Sequence, residues 1–195
     1  MIDLTGTELG KFAGVPHLVE PIVHQKEQGI NTLNAIEDEI SRRYSYFAQT
    51  QVRDIVGYHN KPDNDNTTNL PYIVVAIDNV VVLMMESGNE VEQIITRMAN
   101  RARGAGVHLI FSLPRANTDS LSGKIKANFP GRVAFKVPDH HESQLILDVG
   151  GAQELLGPGD MLLKTPDTNF LERLQCVQLA EHELDKLVEY WVSQY

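Results

Sequence analysis

Tyr72-Ile73-Val74-Val75-Ala76-Ile77-Asp78 is an unbroken, β-branched apolar run closed by a single aspartate. Such a run reads as a strand buried on both faces of a parallel sheet, with a carboxylate at its carboxyl end. In nucleotide-binding α/β proteins a carboxylate there holds Mg²⁺, and a glutamate directly after it polarises the attacking water. The next residue here is Asn79, whose amide cannot accept a proton. A scaffold for nucleotide chemistry is therefore expected around Asp78, without its base.

On the amino side, Ile30, Leu33, Ile36, Ile40, Tyr44 and Phe47 step by three and four, which predicts a long amphipathic helix with Arg42 and Arg43 beside its apolar stripe. The polar, Asn-rich stretch 59–70 reads as a mobile surface loop within one domain spanning residues 1–195. On the carboxyl side, Val91, Ile94, Ile95, Met98 and Ala102 share a helix face, and Gly104 and Gly106 end that helix. Val107–Ser112 is a second buried strand, adjacent and parallel to the first by crossover geometry. A short helix from Leu121 to Asn128, a strand at Val133–Val137 and a helix at Glu142–Leu147 come next. Strands near Met161–Leu163 and Leu174–Leu179 follow, then a last helix with Leu184, Leu187, Val188 and Trp191 on one face. Strands and helices alternating at this spacing predict an α/β three-layer sandwich on a mostly parallel sheet.

The chain has 195 residues, enough for one domain with a genuine core, and 42% of them are hydrophobic. Its apolar runs are too short to span a bilayer, and Met1-Ile2-Asp3 opens no export signal. The lone Cys176 cannot form an internal disulfide, which fits a reducing cytoplasm, and its apolar surroundings read as those of a buried thiol. The net charge of −9 argues against nucleic acid until its distribution is considered. Residues 97–136 hold eight basic residues against one acidic residue, so this segment carries +7 and the remainder −16. Either Arg-rich helix faces are simply solvated there, or the segment forms a localised anion-binding surface.

Other candidates read as structural. His140-His141-Glu142 suits a helix start better than a metal site, for which no ligand pattern exists, and His108 suits a hydrogen-bonded core position. Gly150-Gly151 and Gly157-Pro158-Gly159 read as turns, because no strand leads directly into them as a phosphate loop requires.

Several segments resemble the FtsK/SpoIIIE DNA translocases in one continuous order. They include Gly14-Val15-Pro16-His17-Leu18, Arg42-Arg43-Tyr44 and Gly57-Tyr58-His59-Asn60. The Leu70–Asp78 run, Arg101–Ile110, Gly123–Asn128, Ile146–Ala152 and Leu155–Leu162 continue the match. The resemblance implies a RecA-like fold, hexameric rings around double-stranded DNA, and ATP with Mg²⁺ driving DNA movement in chromosome segregation and cell division. It assigns Asp78 and Asn79 to a degenerate Walker B site, Asp78 being the position that could face Mg²⁺ and nucleotide. It also places Arg115, Lys124 and Lys126 where the family contacts the DNA backbone.

The chemical positions depart from the family pattern. No G-x-x-x-x-G-K-[ST] occurs, so the backbone cradle and lysine for the β and γ phosphates are missing. The family's glutamate is Asn79, its phosphate-sensing Thr-Gln is Leu113-Pro114, and its Asp-Ser-Arg reads Glu142-Ser143-Gln144. The resemblance therefore predicts a DNA- or ring-binding module that does not hydrolyse ATP by itself and needs no cofactor alone. The alternative is the distal fragment of an active translocase whose phosphate loop lies upstream. It also predicts a sheet lacking the strand before the phosphate loop; the sheet could close up, another segment could fill the gap, or the chain could be a truncated piece.

Overall fold

The computed structural model describes residues 1–61, 70–116, 122–168 and 170–194. They form two compact units, Met1–Gly10 with Leu18–Ser112, and Lys11–His17 with Leu113–Tyr195. Residues 62–69 of the polar loop lie outside the described residues, but its described ends meet, with His59 Nε2 3.0 Å from the Leu70 carbonyl oxygen.

The first unit is built on a parallel sheet of β1 (Ile2–Asp3), β2 (Ile73–Asp78) and β3 (Val107–Phe111), in that order. Val75 pairs with Leu109 and Ile77 with Phe111, so the two long apolar runs are adjacent and parallel as their sequences predict. The helices are α1 (Lys26–Thr50), α2 (Ile55–His59), α3 (Val80–Ser87) and α4 (Asn89–Ala105). Leu33, Ile40 and Phe47 of α1 and Val91, Ile94, Ile95, Met98 and Ala102 of α4 are buried. Each of these side chains other than that of Ala102 contributes roughly 1.5–3 kcal/mol. α4 ends where Gly106 turns left-handed at φ 76°, and a Cβ there would stand 2.9 Å from Ile55 Cγ1. Only glycine fits that close approach.

Arg43 sits inside the stripe instead of beside it and is 1% exposed. Its Nε donates to Glu39 at 2.8 Å and its Nη1 to the Ala105 carbonyl at 2.9 Å. The guanidinium thereby satisfies an orphan carbonyl at the negative end of α4, and that pairing lets a charge be buried.

β2 and β3 are covered on one face only. Val75, Ile77 and Val107 point into the helices, whereas Tyr72, Val74 and Ile110 are exposed at 52%, 57% and 58%. The strand read as buried on both faces is therefore half open. His108 lies on the open face and is exposed, its ring 5.7 Å from that of Tyr72, so it is not a core histidine.

The second unit holds α5 (Gly123–Asn128), β4 (Arg132–Phe135), α6 (His140–Leu147), β5 (Asp160–Lys164), β6 (Glu172–Gln175) and α7 (Glu181–Ser193). β4, β5 and β6 form a separate sheet in that order, antiparallel throughout. The alternation of strands and helices pointed to a mostly parallel sheet, which β1 to β3 provide. β5 and β6 are joined by too few residues for the crossover that parallel pairing needs. Ala134, Leu147, Ala152 and Leu155 form the core of this unit. The buried Ser143 hydroxyl donates to the Val149 carbonyl and accepts from Ala152 N–H, fixing the Gly150-Gly151 turn. Asp139 caps α6 by accepting from Glu142 N–H at 2.9 Å, the role the His-His-Glu start suggested.

No residue of α7 is fully buried. The Lys11–His17 segment lies along it: Lys11 pairs with Glu181 at 2.9 Å, and His17 meets Trp191 edge-on at 4.8 Å. Cys176 is exposed, with its thiol near the Val177 carbonyl, because the alternation that suggested burial lies past the end of β6. Among the described residues no strand pairs with the outer edge of β3 or of β4, so nothing there replaces the strand the family resemblance finds missing.

Candidate functional site

Asp78 ends β2 at the carboxyl edge of the parallel sheet, the edge where open α/β sheets bind ligands. Ser112, just past β3, donates its hydroxyl proton to Asp78 Oδ1 at 2.5 Å and accepts from Asn79 N–H at 3.0 Å. Val80 N–H donates to the Ser112 carbonyl, and Ser112 N–H to the Ile77 carbonyl. One serine therefore ties the ends of two strands to the start of α3. Sequence reasoning passed over Ser112; its signal is a hydroxyl at the end of an apolar strand beside the Asp78 strand.

Asn79 has φ 47° and ψ 59°, a left-handed conformation that asparagine tolerates better than other side chains except glycine. Its identity thus suits the bend from β2 into α3, while its amide gives no route for a proton. Asp3, the register partner of Asp78, is fully buried. It accepts from Thr5 N–H, the Thr5 hydroxyl, Gly6 N–H, Glu8 N–H and Leu9 N–H at 2.7–3.1 Å. Burial pushes its pKa up, but the hydrogen bonds from Leu9, Thr5, Gly6 and Glu8 outweigh it and hold the carboxyl at about 2. Asp3 is a loop clamp, another role the sequence reading missed.

Among the described residues no basic side chain is a partner of Asp78, whose Oδ1 is already engaged by Ser112. The glycine turns are consumed internally: Asp160 N–H bonds the Gly157 carbonyl, and Leu156 N–H bonds the Asp160 carboxylate.

The basic candidates lie in the second unit. Arg115 is exposed just ahead of α5, and Lys124 is exposed on it. α5 is capped by Ser122 Oγ, which accepts from Ile125 N–H. Lys126, on the same helix, is 20% exposed and pairs with Asp148 at 2.5 Å. Asp148 also binds Arg132 Nη1 at 2.6 Å and Lys164 Nζ at 2.7 Å. Lys126 and Lys164, with Arg132, hold its carboxyl far below the usual range. Three of the eight cations in the basic segment are thus committed to carboxylates, since Arg97 also pairs with Glu37 at 2.7 Å. Arg101 stacks 4.9 Å over Tyr44. Arg103, Arg115, Lys124 and Lys136 have no ion pair with another described residue.

The model of the FtsK/SpoIIIE family matches residues 1–118. The chain belongs to this family. It is 40% identical over its whole length to the DNA translocase FtsK of Listeria monocytogenes and to the DNA translocase SpoIIIE of Bacillus subtilis. It spans only 26% and 25% of those proteins. Among solved structures, the pCW3 conjugation coupling protein TcpA, in its monomer form with ATPγS, superposes with a TM-score of 0.78 at 20% identity. That match covers 97% of this chain and 55% of TcpA. The cytoplasmic domain of the type VII secretion ATPase EccC from Thermomonospora curvata gives 0.76 at 19% identity, over 97% of this chain and 23% of that one. These neighbours are RecA-like ATPase domains, and this FtsK/SpoIIIE chain carries their α/β fold. Among the described residues no helix is long and apolar enough to cross a membrane.

Proposed function

We propose that this FtsK/SpoIIIE motor module acts in the cytoplasm as a DNA- or ring-binding element that does not turn over ATP by itself. The observation that carries the reading is the Asp78-Asn79-Ser112 arrangement. The carboxylate that ends β2 is bonded to a serine, and the residue after it is an amide held left-handed. Phosphoryl transfer depends on positioning and charge stabilisation, and loss of a single key group lowers rates by about 10²–10⁵. Here the base and the phosphate-binding lysine are both missing from the described edge. Arg115 and Lys124 are free to meet phosphates of duplex DNA, and Lys126 adds to them only where it leaves Asp148. The DNA translocases that the chain resembles make double-stranded DNA and neighbouring ring subunits its fitting partners, in chromosome segregation and cell division.

A second reading is favoured by length. The chain spans about a quarter of its curated relatives, so it also suits the distal part of an active ATP-driven translocase whose phosphate loop lies elsewhere. A phosphate-release assay on the purified chain, with and without duplex DNA, tests the first reading. Release at background is the expected result; release above background that Asp78→Ala abolishes overturns it.

A further inference from the structure

We propose that the groove between residues 20–23 and the first turns of α1 binds an extended peptide of another protein, which pairs with the backbone of Ile22 as an added strand. The groove holds about 490 Å³, within the range of roughly 300–1,000 Å³ usual for ligand sites. Residues 20–23 form one wall, and Gln28, Asn31, Thr32 and Ala35 of α1 form the other. Both walls belong to the first unit.

The backbone wall offers an open edge. Val23 N–H donates to the Met1 carbonyl at 3.0 Å, and the Val23 carbonyl accepts from Asp3 N–H at 2.8 Å, so this segment runs parallel to β1 along its outer side. Backbone groups of an extended chain alternate in direction, so Ile22 turns its N–H and carbonyl away from β1. Among the described residues neither group has a backbone partner. Pro21 shares the direction of Val23, so the N–H it lacks is one that would point at β1, and no donor is lost from the outer side. A peptide laid along Ile22 gains main-chain hydrogen bonds of the kind that strand addition uses.

The helical wall selects the same chemistry. Gln28, Asn31, Thr32 and Ala35 are spaced to share one face of α1. Gln28 and Asn31 are exposed and Thr32 half-buried, and among the described residues none of their side chains is hydrogen-bonded. Each primary amide carries one carbonyl acceptor and two N–H donors, the complement of a peptide group, and the small Ala35 leaves the groove room for a main chain. Glu20 is the single charged residue in the lining, and it already attracts the Met1 amine. With no cation in the lining the groove does not suit a phosphate; it reads main chain in preference to charge. This chemistry does not depend on whether the chain turns over ATP or binds DNA.

The test pans a phage-displayed library of random peptides, about ten residues long, against the full chain. Excess soluble Ala35→Arg protein is present, so only peptides that need the open groove are recovered. Ala35 is exposed on α1, and circular dichroism confirms that this variant and the others fold. Recovered peptides are synthesised, and their binding is followed by fluorescence anisotropy and by hydrogen exchange at the Ile22 amide. They are expected to slow that exchange at least about tenfold. Methylating the central peptide nitrogens, or Gln28→Ala/Asn31→Ala in the protein, is expected to weaken binding at least about tenfold. The proposal is overturned if no peptide survives the competition, or if the N-methylated peptides bind as their parents do, since side chains alone are then recognised. It is also overturned if Ile22 becomes protected with rising protein concentration alone, since the occupant is then a second copy.

Discussion

Arg43 donates to the carbonyl of Ala105 across 2.9 Å, joining the middle of α1 to the last turn of α4 through a guanidinium that solvent barely touches. Removing it leaves a buried carbonyl unsatisfied and releases Glu39 to Arg42 alone. Arg43→Ala is expected to cost about 2–4 kcal/mol. Arg43→Lys recovers less than half of that, because one ammonium cannot reproduce both branches of the fork. Urea unfolding of the three proteins measures it, and a loss under 1 kcal/mol for alanine contradicts the assignment.

Asp148 and Asp3 set an acid limit. Both carboxyls have folded pKa values below their unfolded values, Asp3 at about 2. A depressed carboxylate contributes stability that is fully present above the unfolded value near 4 and is lost as pH falls through the folded value. Stability should therefore be flat from neutrality to about pH 5 and decline between about pH 4 and 2. Asp148→Asn or Asp3→Asn lowers the plateau and flattens that decline. For the buried Asp3 the effect is on the order of 2 kcal/mol. Thermal melts from pH 7 to 2 provide the readout.

Gly106 combines a left-handed backbone at φ 76° with Ile55 at 2.9 Å from any Cβ. Gly106→Ala pays both strain and clash, about 2–4 kcal/mol. Gly123→Ala, at the start of α5 with open space around it, should change stability by under about 1 kcal/mol. Equal melting temperatures for the two variants would remove the close-packing argument.

Asn79→Glu restores a carboxylate without restoring phosphate binding. It is expected to leave ATP turnover at background and to destabilise the chain by about 1 kcal/mol, since glutamate tolerates the left-handed bend less well. Asn79→Gly is expected to be neutral. Turnover appearing in Asn79→Glu alone would show that the site still binds the triphosphate.

Binding to duplex DNA should be weak, sequence-independent and salt-sensitive. The double variant Arg115→Ala/Lys124→Ala is expected to reduce the steepness of log affinity against log salt by about 1.8, at about 0.9 per lost phosphate contact. Lys126→Ala acts mainly on stability through Asp148. A fluorescent duplex titrated at several salt concentrations distinguishes them; identical slopes for wild type and the double variant would move DNA contact away from this loop.

The parallel core was legible because β2, α4 and β3 are long and strongly patterned, and every residue of the predicted period-3.6 stripe of α4 is buried, with Ala105 added to them. Burial of the second face of β2 was not legible: a run that is apolar throughout cannot announce that one side lacks its covering layer. The antiparallel sheet was missed because its strands are short and its pairing is set by hairpin lengths. At the candidate site Asp78 and Asn79 were read directly, whereas Ser112 and Asp3 act through bonds to residues distant in sequence or to backbone amides, which no motif encodes. The engagement of Lys126 by Asp148 was hidden for the same reason, 22 positions apart in the numbering.

The Lys11–His17 segment gives the second unit two separate stretches of sequence, with Leu18–Ser112 of the first unit threaded between them. No single cut of the polypeptide can therefore yield both units whole. Severing after Ser112 leaves α7 without the lysine and histidine that lie along it. The gene thus encodes an obligatory continuity: half of the chain cannot be shuffled, duplicated or lost without unfastening the end of the other.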